Sequence, residues 1–139
     1  MASESQPCLM NVILLSNSAL SMPTCIDLFQ KGLLKGIIMP NRLHEENEAT
    51  KSFAEQNAIP FISISKSGLE DELIDWLSPL QPDVLLTITF PWLLPETLVS
   101  IPTHGSYNLL FGKLPHYRGG DPVFWQLANR DKEGAVTLH

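Results

Sequence analysis

Apolar runs of β type alternate along this chain with stretches in which apolar side chains recur every three or four residues. That is the sequence form of parallel strands joined by crossover helices. Residues 9–15 make the first apolar run, after which Met22, Cys25, Ile26, Phe29 and Leu33 repeat at helical spacing, with Pro23 placed where a first turn accepts it. Gly32 and Gly36 bracket the exit. Residues 33–39 predict a second strand, residues 45–56 a polar helix with Ala49 and Phe53 facing inward, and residues 59–64 a third strand. Pro40 and Pro60 punctuate these boundaries.

Ser67 followed by Glu70 has the form of a capping box, ahead of a helix whose one face carries Leu69, Leu73, Trp76 and Leu77. Residues 83–89 supply an apolar fourth strand, of the kind expected at the centre of a parallel sheet covered on both faces. Phe90-Pro91-Trp92 then breaks it. Residues 106–110 are short and strand-like, Asp121 and Pro122 pair as N-cap and first turn of a helix over 123–129, and residues 135–139 begin another strand. The expected fold is α/β: a Rossmann-like, mostly parallel sheet with helices on both faces, in a single domain over residues 1–139. No repeat, low-complexity tract or linker divides the chain, and its stop on a strand at His139 reads first as the end of a fragment, with an edge strand or a sheet completed by a partner as the alternatives.

Hydrophobic residues at 44% and aromatics at 8% place the chain with soluble globular proteins. Acidic residues outnumber basic ones by 15 to 9, a net charge of -6, so phosphate backbones and anionic membranes gain no general attraction. Lys113, His116, Arg118 and Arg130 gather near the carboxyl end, which suits a local anionic ligand or a solvated basic stretch. Cys8 and Cys25 have no partner pattern, indicating neither a metal site nor a disulfide framework, and a reducing cytoplasm is the expected location. The first residues lack the basic start of a signal peptide, and no run reaches the roughly 18 apolar residues of a membrane span. Ser16-Asn17-Ser18-Ala19-Leu20, the turn after the first strand, has no glycine, and no phosphate-binding loop occurs elsewhere. Both absences argue against NAD, FAD and ATP.

Chemistry concentrates in residues 108–125, NLLFGKLPHYRGGDPVFW. Asn108, Leu114, Pro115, Tyr117, Arg118 and Gly119 fall in register with the pattern Asn-x-His-x-Ser-Leu-Leu-Pro-x-Tyr-Arg-Gly. Upstream, Phe90-Pro91-Trp92-Leu93-Leu94-Pro95 matches a Tyr-Gly-x-Ile-Leu-Pro loop, and Gly105 precedes Asn108 by three positions. On these residues the chain resembles the amino-terminal domain of the 10-formyltetrahydrofolate-dependent formyltransferases, a family that includes methionyl-tRNA, glycinamide ribonucleotide and sugar-nucleotide formyltransferases. Asp121-Pro122-Val123-Phe124-Trp125 is similar to the version in formylation domains of peptide synthetases. The resemblance covers roughly residues 11 to 139. Leu110 stands where the family has its catalytic histidine and Gly112 where serine is usual, and the family's aspartate loop lies beyond His139.

The resemblance implies transfer of a formyl group from 10-formyltetrahydrofolate to an amine, either a small molecule or, as the one nucleic-acid exception, an aminoacyl-tRNA, with no metal. It implies that Asn108 donates to the developing oxyanion, that position 110 handles protons, that Phe90, Trp92, Leu93 and Leu94 wall the pterin slot, and that Tyr117, Arg118 and Gly119 meet substrate. Leucine at 110 has neither donor nor acceptor, and the general acid–base work it forgoes is worth about 10²- to 10⁴-fold in rate. An oxyanion donor alone contributes on the order of 10²- to 10³-fold. Impaired transfer is therefore expected.

Read from the residues alone, Phe90, Trp92, Leu93 and Leu94 also suit core packing, and Arg118 suits either an anionic substrate group or a loop fastened to backbone carbonyls. His104 and His116 do not occupy the register that would let them replace a histidine at 110. Two other functions stand beside formyl transfer: a catalytically silent folate- or partner-binding domain, and an unrelated Rossmann-like nucleotide-binding domain. The acceptor amine and the oligomeric state are not written in the sequence.

Overall fold

A computed structural model describes residues 10–41, 45–110 and 137–138. All five residues of β1 (Val12–Ser16), four of them aliphatic and the last a serine, are buried, and the strand lies in the middle of the sheet. α1 (Met22–Gln30) follows a single 3₁₀ turn, Ala19–Ser21, and leads into β2 (Leu34–Pro40). Gly32 ends α1 in the left-handed region at φ +73°, where the Gly32 N–H donates to Phe29 O and the Leu33 N–H to Leu28 O, both at 2.9 Å. A side chain would resist that conformation, which is why glycine closes the helix. α2 (Glu45–Gln56), β3 (Phe61–Ile64), α3 (Asp71–Leu77), β4 (Val84–Ile88), the short α4 (Glu96–Val99) and β5 (Ser106–Leu110) complete the α/β alternation.

The strands lie in the order β3-β2-β1-β4-β5-β6, where β6 is Thr137–Leu138. Five strands run parallel, and β6 closes the edge antiparallel to β5. The chain winds outward through β2 and β3, then returns to the other side of β1, so β1 and β4 flank the point where strand order reverses. In open α/β sheets that carboxyl-end crevice is where ligands bind. Two apolar layers hold the sheet: Ile13, Leu15, Ile38, Leu73, Leu77 and Leu85 pack on one face, and Leu14, Cys25, Ile37, Met39, Ala54 and Ile88 on the other. Each fully buried aliphatic side chain contributes about 1.5–3 kcal/mol. The α3 layer sits so close that a Cβ on Gly36 would lie 2.8 Å from the Trp76 ring, so β2 admits only glycine there.

The amino edge of the sheet is tied by one carboxylate. Asp83 accepts the Thr103 hydroxyl at 2.6 Å and the Asn11 N–H at 2.8 Å, joining the starts of β1 and β4 to the approach of β5. Those two hydrogen bonds, Thr103 first, hold the Asp83 carboxyl below its ordinary range. A depressed folded-state pKa adds stability above the unfolded value of about 3.9 and loses it as pH falls through the folded value. Melting temperatures at pH 6 and pH 3 are accordingly expected to differ less for Asp83→Asn than for the native chain. Equal acid sensitivity in both proteins would show that the ties do not matter.

Most predicted elements recur with boundaries within two residues, and two local expectations do not. Ala49 is exposed, and the buried face of α2 is formed by Asn47, Thr50 and Ala54, because the helix is rotated to set Thr50 against the Met22 sulfur at 3.3 Å. The capping box does not form: Ser67 lies inside a 3₁₀ turn, Lys66–Gly68, its hydroxyl 3.0 Å from that of Ser65, and α3 starts at Asp71. Leu73 and Leu77 of α3 are nevertheless buried as expected, Trp76 packs partly buried against the same core, and Leu69 is buried just ahead of the helix. α4 was not foreseen. The predicted helix over 123–129 and its cap at Asp121 lie outside the described residues.

Candidate functional site

The parallel register of β4 and β5 sets Asn108 beside Thr87, one pair before Leu109 and Ile88 at the carboxyl edge. Side chains alternate between faces along a strand. Leu85 belongs to the layer that α3 covers, whereas Leu86 and Leu109 pack on the opposite layer. Thr87 and Asn108 therefore share the α3 face, and Asn108 is half-buried there. Position 110, two residues further, is the last residue of β5. It pairs with Thr137 of β6.

The segment leaving β4 folds back onto that same face. Phe90, Trp92 and Leu94 are half-buried and pack against the α3-side core, and the Phe90 and Trp92 rings meet edge to face at 5.6 Å and 89°. Leu93, 95% exposed, projects the other way. The four residues expected to wall one slot thus divide into three anchored in the core and one apolar side chain standing in solvent. Anchoring holds the loop against the face of the sheet that Asn108 shares, with Leu93 left exposed to solvent.

Thr89 joins β4 to this loop at φ +56°, an outlying conformation for a β-branched residue. Its Oγ1 lies 2.6 Å from Ile88 O and 2.9 Å from the Ser18 hydroxyl. Ser18 in turn caps the turn after β1 by accepting the Leu20 N–H at 3.2 Å, and the Ser16 and Ser21 hydroxyls meet at 2.5 Å behind it. Asn17 accepts from the Asn47 amide at 3.2 Å. Sequence reasoning weighed this turn only for its missing glycines and so missed the hydroxyl residues. The spacing Ser-x-Ser-x-x-Ser before a helix was the available signal.

His104 sits at the far end of the sheet. Its N–H donates to Asp83 O at 2.7 Å and its carbonyl accepts the Tyr107 hydroxyl at 3.0 Å, so it sits before the start of β5, at the opposite end of the strands from the carboxyl edge. It does not supply a proton acceptor for position 110. Cys25 is buried, and burial pushes its thiol up to about 11, which leaves it without thiolate character at neutral pH. Among the described residues, no three His, Cys, Asp or Glu side chains gather to hold a metal ion, and no helix is long and apolar enough to cross a membrane. Tyr117, Arg118 and Gly119, expected to meet substrate, lie outside the described residues, as do Lys113, His116, Arg130 and His139.

The family model described as formyl transferase matches residues 13–139. Methionyl-tRNA formyltransferase of Geobacter metallireducens is 27% identical over 135 residues, covering 92% of this chain and 43% of that protein. The chain thus spans about two-fifths the length of the curated relative it matches. Glycinamide ribonucleotide transformylase 1 from Geobacillus kaustophilus has the same fold, at a TM-score of 0.77 and 18% identity, covering 94% of this chain and 73% of that one. A formyltetrahydrofolate deformylase from Pseudomonas syringae superposes at a TM-score of 0.76 and 17% identity, over 97% of this chain and 46% of that one.

Proposed function

From the premise that this chain belongs to the formyl transferase family, we propose that its carboxyl edge moves a formyl group from 10-formyltetrahydrofolate to an amine, with turnover weakened by Leu110. The observation that carries this reading is the β4–β5 register, which brings Asn108 onto the face where Phe90, Trp92 and Leu94 are anchored. An amide donor beside a fixed, partly exposed apolar loop fits a planar ring carrying a reactive carbonyl. The printed name of the Pseudomonas syringae neighbour, a formyltetrahydrofolate deformylase, supports the same donor. The donor's contribution is an activated formyl carbon. The acceptors named for the relatives, methionyl-tRNA and glycinamide ribonucleotide, are both amines and define the acceptors to try first. The unpatterned cysteines support a cytoplasmic setting.

As the amine nitrogen bonds to the formyl carbon, the carbonyl electron pair moves onto oxygen, and Asn108 donates a hydrogen bond to that oxygen. The new ammonium must then lose a proton, and the folate nitrogen must gain one as its bond to the formyl carbon breaks. Position 110 is where the family's histidine would make that transfer, but leucine has no lone pair to accept the proton. The proton leaves to solvent instead, and the step slows.

Leu110 also favours a second reading, a domain that binds folate and no longer transfers from it. Titration of the full chain with 5-formyltetrahydrofolate, run beside a formyl-transfer assay on both acceptors, separates the two. Binding with slow but measurable transfer is the expected result. Binding with no transfer above the uncatalysed rate assigns the silent role, and absence of binding removes both.

A further inference from the structure

Thr89 is held in the left-handed region by a line of hydrogen bonds that crosses the sheet reversal. Its hydroxyl has a single hydrogen, committed to Ile88 O at 2.6 Å, so in the 2.9 Å contact with Ser18 it accepts and Ser18 donates. The Ser18 oxygen still accepts the Leu20 N–H at 3.2 Å. The order is therefore Leu20 N–H to Ser18, Ser18 to Thr89, Thr89 to Ile88 carbonyl, a directional chain in which each bond polarises the next. It links the turn after β1 to the exit of β4, the two segments that flank the strand-order reversal, where Ser16 pairs with Ile88. Immediately beyond Thr89 come Phe90 and Trp92. A strained β-branched residue persists only where its surroundings over-determine it, and such positions concentrate where a loop must hold one conformation.

We propose that Ser18, acting through Thr89, is a positioning residue for the Phe90–Leu94 loop, so that the β1 turn and the donor wall hold a single arrangement. The inference rests on the folate-donor reading for its consequence and on hydrogen-bond geometry alone for its mechanism.

The test uses the full chain labelled with 5-fluorotryptophan, the Trp92 fluorine resonance being identified by its loss in Trp92→Phe. Ser18→Ala is expected to shift or broaden the Trp92 resonance, leave that of Trp76 in place, and weaken 5-formyltetrahydrofolate binding about 3- to 10-fold, the effect of one lost neutral hydrogen bond. Thr89→Ser, which keeps the hydroxyl, is expected to preserve both readouts. A merely structural role lowers the melting temperature without moving either. An unmoved Trp92 resonance in Ser18→Ala overturns the proposal, as does a moved resonance with donor binding unchanged. A moved resonance in a protein whose unsubstituted form binds no folate keeps the positioning role and sinks the donor reading instead.

Discussion

Replacing Leu110 with histidine raises formyl transfer by about 10²-fold or more, the lower bound for restoring a positioned general acid–base group. The motif register points to this position: residue 110 stands two places beyond Asn108, where the family has its histidine, and its backbone pairs with Thr137 of β6. Histidine replaces leucine without a large change in length, and the β5–β6 pairing does not depend on the side chain, so circular dichroism and melting are expected to stay near native. The gained rate should rise with pH through about 6.5, the range in which a free imidazole becomes neutral and able to accept a proton. A Leu110→His protein that folds, binds 5-formyltetrahydrofolate and still transfers no faster than the native chain would sink the catalytic assignment of this strand.

The second large effect is read in that histidine background, where transfer is fast enough to measure. Asn108→Ala there is expected to lower kcat about 10²- to 10³-fold while the folate Kd changes little, because a donor to the developing oxyanion acts on the transition state and hardly on the bound ground state. Half-buried on the face that carries Phe90 and Trp92, Asn108 has the placement for this role. Loss in Kd equal to the loss in kcat would instead mean that the amide holds the donor in place. Equal activity with and without Asn108 would remove it from the chemistry.

The sheet was legible because burial writes itself into residue type. β1 is buried throughout and β2 nearly so, β4 buries Leu85 and Ile88, and their cores read as short apolar runs, while α3 announced its inward side through Leu73 and Leu77. Polar segments carried less. α2 was placed correctly along the chain, but its rotation was not, because Asn47 and Thr50 are buried by a neighbouring side chain and not by their own hydrophobicity. The capping box at Ser67 was a pattern with two local solutions, and the 3₁₀ turn took the hydroxyl for itself. β6 and its direction depended on pairing with β5, a contact between residues 27 or more positions apart in sequence.

The sequence by itself determined the α/β alternation, the motif register that names Asn108 and the position Leu110 occupies, and the absence of any glycine-rich phosphate loop. These are properties of residue identity and spacing, and no neighbour can change them. Only the tertiary structure decided that His104 belongs to the opposite end of the sheet, that Leu93 faces solvent while Phe90 and Trp92 are anchored, and that Ser18 reaches Thr89 across 71 positions of chain. Each of those depends on where strand order reverses, and a reversal brings together segments whose local patterns carry no trace of one another.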